Sequence, residues 1–156
     1  MAHQPSAVYA RWLSLKDKPG GKRLFNFLLG RMVPYSGSIS PRVQELEPGH
    51  CVVTMDDRRK LRNHLNSIHA VALMNLGELS SGLAVITAIP ADARGILAGL
   101  SIEYLKKGRG TLRAVCECPV LESSERKEYE VGAEITDREG DVVARVTARW
   151  LVGPKD

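Results

Sequence analysis

Three residues of one stretch, Asn63, His69 and Glu78, carry the chemistry this sequence offers. They lie in "NHLNSIHAVALMNLGELSSGLAV" (63–85), an apolar, small-residue run that reads as a packed helix. From Leu65 to Ala91 only Glu78 is formally charged at neutral pH. A buried carboxylate without a partner is costly and has its pKa pushed upward. Glu78 therefore reaches water, finds a partner, or works as a base or nucleophile. His69 and Glu78 are nine positions apart, about 13 Å along a helix axis, too far for a direct bond within one chain. Either they serve different roles or a second chain completes the site. Taken singly, a histidine at a helix start reads as a cap and a mid-helix glutamate as an interface residue. The set is more specific than its members.

The elements that must position these residues follow from local pattern. "SAVYARWLSLK" spaces Val8, Trp12 and Leu15 helically behind Ser6 as N-cap, and Pro19-Gly20-Gly21 ends that piece. "KRLFNFLLGRM" resumes an apolar stripe through Leu24, Phe25, Leu28 and Leu29. "SGSISPRVQELE" and "HCVVTMDD" read as strands around a Pro48-Gly49 turn. The long helix comes next, with Asn66 or Ser67 as N-cap and an end near Gly82 to Val85. After Pro90 the chain alternates: Leu100, Ile102 and Tyr104; Leu112, Ala114, Cys116 and Cys118; Tyr129, Val131, Ala133 and Ile135; Val142, Ala144, Val146, Ala148 and Trp150. Glu139-Gly140 signals one hairpin and Gly108 to Gly110 another. The expectation is an α+β fold: about six mainly antiparallel strands curved around one long central helix that is apolar nearly all round. Small residues such as Ala70, Ala72, Gly77, Ser80, Ser81 and Gly82 let strands approach that helix closely.

Length and composition bound the partners. The 156 residues suit a single domain, with a helical segment at 1–33 and a core at 34–153. Hydrophobic content of 44% and charged content of 26% are those of a globular protein, and the start shows no secretory signal. Asn66, Asn75, Glu78, Ser80 and Ser81 interrupt the longest apolar run, so no membrane span is expected. Cys51, Cys116 and Cys118 have no metal-binding spacing; they read as small hydrophobes in a reducing cytoplasm, with no metal expected. The net charge of +4 favours anionic partners. Its clusters, "RRKLR" (58–62) and "KKGR" (106–109), lack interleaved aromatics, which argues against nucleic acid.

The order helix, two strands, long helix, four strands resembles the hotdog fold. Asn63, His69 and Glu78, as N-x5-H-x8-E, resemble the signature of PaaI-like acyl-CoA thioesterases. "IHAVALMNLGELSSGLA" is more similar still to the domain-of-unknown-function 4442 branch, as are "LSIEYLKKGRG" and "EITDREGDVVARVTARWLV". The resemblance covers most of the chain from about residue 35. It implies a thioester hydrolase with no cofactor beyond the coenzyme A of its substrate, working as a homodimer or dimer of dimers. Glu78 would activate water or form an acyl anhydride, and the Ala70 N–H would serve as oxyanion donor. Asn63 would orient water or carbonyl, and His69 would fix the helix start. In that fold the loop of one subunit faces the Glu of the other. Lys106, Lys107 and Arg109, with Arg58, Arg59 and Arg62, would meet the phosphates of coenzyme A. Where that signature has His-Gly-Gly, this chain has His69-Ala70-Val71; the departure favours, as alternative, a non-catalytic acyl-ligand binding module. A further alternative, a β-hydroxyacyl dehydratase, pairs His64 with Glu78 fourteen residues on, but the family's Phe-Pro and Pro-Gly are missing.

Overall fold

The computed structural model describes residues 5–156. Residues 1–4, the start of the segment read as leaderless and helical, lie outside the described residues. Two helices, α1 (Ala7–Leu15) and α2 (Gly21–Met32), and one short turn of helix, α3 (Pro34–Gly37), precede the sheet. Then come β1 (Arg42–Glu47), β2 (His50–Met55), a 3-10 turn (Arg59–Leu61), α4 (Ala70–Ala88), β3 (Ala93–Tyr104), β4 (Leu112–Glu117), β5 (Lys127–Thr136) and β6 (Val142–Pro154). The six strands form one antiparallel sheet in the order β1-β2-β4-β5-β6-β3. This is the hotdog arrangement: a curved sheet wrapped around α4.

The sheet holds α4 because its inward faces are aliphatic and the helix is narrow. Val53, Met55, Leu112, Ala114, Ile135, Ala144, Val146 and Val152 are buried beneath it. Gly77 marks the closest approach: a Cβ there would collide with the Val146 side chain. The buried hydroxyls of α4 are all hydrogen-bonded. Ser80 Oγ donates to the Gly77 carbonyl at 3.1 Å, and Ser81 Oγ lies 2.9 Å from the Glu78 carbonyl while accepting from Trp150 Nε1 at 3.2 Å. Thr87 Oγ1 accepts from Gly49 N–H at 3.2 Å, which ties the end of α4 to the β1–β2 turn. By length and composition α4 suffices to cross a bilayer, with mean hydropathy 1.4, but 67% of that window is buried within the sheet.

The N-terminal helices pack against the rim of this body. Ser6 caps α1 by accepting from Tyr9 N–H, and Trp12 meets Phe25 edge-on at 5.0 Å. Asn26 Oδ1 accepts from Val43 N–H at 2.8 Å, joining α2 to β1, and Asn75 Nδ2 of α4 donates to the Tyr35 carbonyl of α3 at 3.3 Å.

Several local expectations need correction. The N-cap of α4 is His69, not Asn66 or Ser67, and the helix runs to Ala88 rather than stopping near Gly82 to Val85. The β-branched run Val85-Ile86-Thr87 stays helical because Val85 and Thr87 are buried, and Pro90 ends it. Leu24 is exposed, so the buried stripe of α2 is Phe25 and Leu29. The first strand starts at Arg42, after α3 has taken up residues expected to begin it. Gly108 to Gly110 do not form a hairpin, since β3 pairs only with β6 and β4 with β2 and β5.

Candidate functional site

Glu78 projects from the middle of α4 into apolar surroundings. It is half-buried, and among the described residues its carboxylate has no hydrogen bond and no ion pair. Burial alone raises its pKa above the ordinary carboxylate value. Two cavities meet at this side chain. One, of 630 Å³, extends past Val71, Met74 and Asn75 to Leu97 and Leu100 of β3. The other, of 340 Å³, runs between α2 and the second half of α4 towards Gly95 and Trp150. Met32, Val33 and Ser36 line both. These three residues, from α2, the α2–α3 junction and α3, were absent from the sequence-based site, since their local pattern carries no sign of what they pack against.

The loop before α4 is built on Asn63. Its Oδ1 accepts from Leu65 N–H at 3.0 Å, Ser67 N–H at 3.3 Å and Ser67 Oγ at 3.2 Å. Three donors on one oxygen leave the Nδ2 amide as the free end of the side chain. His69 closes the loop: its N–H donates to the Leu61 carbonyl at 2.7 Å, and its Nδ1 accepts from Val71 N–H at 3.1 Å. That contact places the ring proton of the neutral form on Nε2. The His69 carbonyl takes the N–H groups of Ala72 and Leu73. In this first turn the Ala70 N–H alone has no partner among the described residues, and it points where the helix dipole is positive.

Tyr104, at the end of β3, fixes the same turn, its hydroxyl donating to the Ala70 carbonyl at 2.9 Å. Burial raises its pKa. Its role was not legible as chemistry, because Tyr104 continues an ordinary strand alternation. A third cavity, of 330 Å³, opens here between Asn63, Ala70, Tyr104, Lys106, Lys107 and Gly108. Ala70 and Glu78 are thus eight positions apart on one helix, about 12 Å along its axis, and they face different cavities.

The basic residues divide by what already holds them. Lys106 Nζ sits between Asp137 at 2.6 Å and Asp141 at 2.7 Å, with Glu139 at 3.5 Å, which raises its pKa and lowers that of Asp137. The three acids could gather a cation, and the Lys106 ammonium fills that place. Arg62 pairs with Asp57 at 2.7 Å, and that contact holds the Asp57 carboxyl below its usual range. Arg109 reaches the Asn66 and Leu65 carbonyls at 3.4 and 3.5 Å. Lys107, Arg58 and Arg59 are exposed and make no ion pair among the described residues. His64 is exposed in the loop. Burial pushes the thiols of Cys116 and Cys118 up to about 12 and about 11 and raises Cys51 further, which favours the protonated form of all three.

Comparison with known proteins agrees with the fold. A structural-genomics crystal structure shares 30% identity over 95% of this chain and 98% of its own, with a TM-score of 0.82. A Pseudomonas aeruginosa protein of unknown function, described as a probable thioesterase, shares 22% identity over 99% of this chain and 100% of its own, with a TM-score of 0.78; at that identity it shows the fold. A hypothetical thioesterase from Streptococcus pneumoniae, solved with coenzyme A, shares 28% identity over 74% of this chain and 91% of its own, with a TM-score of 0.62. No functionally curated protein matches. The model of the domain of unknown function DUF4442 matches residues 21–152, and the chain belongs to that family.

Proposed function

We propose that the protein is a cytoplasmic acyl-CoA thioesterase whose site is shared between two copies of the chain. The observation that carries this reading is Glu78: a half-buried carboxylate, without a partner among the described residues, at the meeting point of two apolar cavities. A carboxyl with a raised pKa is suited to take a proton from water near neutrality. The water oxygen then bonds to the thioester carbon, the C–S bond breaks, and the leaving thiolate takes up the proton held by Glu78. The negative charge that develops on the carbonyl oxygen needs a donor, and the open N–H of Ala70 is one. Asn63 Nδ2 orients the water or the carbonyl, while His69 and Tyr104 hold the turn that presents Ala70.

Within one chain Ala70 and Glu78 cannot serve the same carbonyl, so a second chain must supply one of them. Support comes from β3, an edge strand of the sheet, twelve residues long with one side of its ladder unpaired. Ile96 is exposed on it. Such an edge is a template for pairing with another copy, and in a two-fold pair any contact of one chain's loop with the other's helix occurs twice. Coenzyme A bound to the Streptococcus pneumoniae relative supports the choice of thiol. Lys107, Arg58 and Arg59 are the residues assigned to its phosphates; Arg62, Lys106 and Arg109 first hold the loops around them. No cofactor enters the reaction.

The test is Glu78→Gln against a panel of acyl-CoAs with a free-thiol readout. A fall of kcat of about a hundredfold or more is expected for loss of the base; undiminished turnover removes Glu78 from the chemistry. A non-catalytic acyl-binding module is the second reading, favoured by Val71, half exposed beside the Ala70 N–H where the related signature has glycine. It wins if acyl-CoAs bind and none turns over.

A further inference from the structure

The two lobes at Glu78 differ in chemistry. The larger runs towards the edge strand β3 and carries Asn75 and the Tyr35 backbone among its walls. The smaller one, of 340 Å³, leads away from the N-terminus of α4, behind Glu78. Among the described residues that line it, only Ser36 and Glu78, at its mouth, have polar side chains with no hydrogen bond to occupy them. Deeper in it, α2 and α4 offer Leu29, Leu79, Leu83, Val85 and Ile86. The Trp150 ring forms its floor, and its one polar atom, Nε1, is already bonded to Ser81 Oγ at 3.2 Å.

Two glycines leave this lobe open. A Cβ at Gly82 would stand 3.2 Å from the Trp150 ring, and one at Gly95 would stand 3.4 Å from Val85 Cγ1 and 3.6 Å from Trp150 Cε3. A longer side chain at either position would fill the space between α4 and β3. The outer wall comes from the N-terminal helices through Val8, Leu29 and Met32, so the lobe does not exist without them.

We propose that this lobe receives the acyl chain of the thioester, and that the substrates are aliphatic acyl groups of medium length. This rests on the thioesterase reading, with the carbonyl carbon held beside Glu78. From Glu78 to Ile86 the helix advances about 12 Å. Tetrahedral C–C bonds advance about 1.25 Å each, so an extended chain of about ten carbons spans that length. Each buried methylene strengthens apolar binding about fourfold, so short acyl groups forgo most of what the lobe offers. A hydroxyl or carboxylate on the chain would be buried with no hydrogen-bond partner and is excluded. Gly82, Gly95 and Trp150 set the depth.

The experiment uses the full-length protein and Gly95→Val. Saturated acyl-CoAs from two to sixteen carbons are assayed by thiol release, and binding of free decanoate and butyrate is measured by calorimetry. For the wild type, kcat/KM is expected to rise with chain length to about ten carbons and to favour decanoyl over butyryl at least tenfold. In Gly95→Val that ratio falls at least tenfold and decanoate binding weakens by a similar factor. If thioesters are hydrolysed but the ratio is unchanged in Gly95→Val, the acyl lobe is wrong and the thioesterase reading stands. If no thioester is hydrolysed while decanoate binds the wild type and is lost in Gly95→Val, the lobe stands and the enzyme reading falls. Should Gly95→Val not fold, Gly82→Ala takes its place, and a wild type that prefers acetyl-CoA or does not bind decanoate overturns the proposal by itself.

Discussion

At the scale of the residue, Glu78 is a stability cost kept in place. Its pKa is raised by burial, and among the described residues no cation or donor meets the carboxylate. A carboxyl raised in the folded state binds its proton more tightly there than when unfolded. Below the ordinary carboxylate pKa of about 4.3 both states are protonated and the penalty vanishes. As pH climbs from there to the raised folded value the penalty grows, and above it the penalty is complete. Glu78→Gln should therefore melt at a higher temperature than the wild type at pH 7, with the difference lost near pH 4, which calorimetry at the two pH values checks. For Glu78 as the proposed base, the same shift would set the acid limb of activity. A base must be deprotonated, so kcat should fall on acidification with a midpoint above that of an ordinary glutamate. A pH profile with no acid limb would remove Glu78 as base.

At the scale of the element, the turn into α4 is where sequence and structure part. The helix itself was legible from its apolar run, and the Glu139-Gly140 hairpin from its turn residues and flanking alternation. The cap was not. Asn66 and Ser67 are common capping types, but Ser67 is buried and bonded to Asn63, and Asn66 sits at φ 54 within the loop. His69 takes the capping place through Nδ1. His69→Ala should then lower stability by about 0.5–2 kcal/mol, as loss of a cap does, and restoring an oxygen acceptor with His69→Ser should recover most of it in denaturant melts. Gly108 and Gly110 were read correctly as a break and wrongly as a hairpin, because a glycine signals that the chain turns without saying which strand it turns to meet. Gly77 is different again: its need comes from Val146, across the sheet interface. Gly77→Ala should cost about 1–3 kcal/mol from overpacking, despite alanine's better helix propensity; a stabilised variant would show that α4 and β6 pack more loosely.

At the scale of the whole molecule, one chain keeps the residues of the proposed site apart. Asn63, Ala70 and Tyr104 surround one cavity, and Glu78 stands at others about two turns along the helix. The family resemblance placed the candidate residues, while the walls supplied by Met32, Val33 and Ser36 appear only once α2 and α3 are folded against α4. Assembly through β3 predicts a species of at least twice the 17.1 kDa chain mass in analytical ultracentrifugation. Ile96→Asp, on the exposed face of that strand, should shift it towards the monomer and reduce activity in parallel. The measurement that bears most directly on a shared site mixes two impaired variants, Glu78→Gln and Asn63→Ala, after dissociation and reassembly. In random two-fold pairs half the dimers are mixed and each mixed dimer has one intact site, so thioesterase activity should recover to about a quarter of wild type. A mixture no more active than the average of its two parents would contradict a site built from Asn63 of one chain and Glu78 of the other.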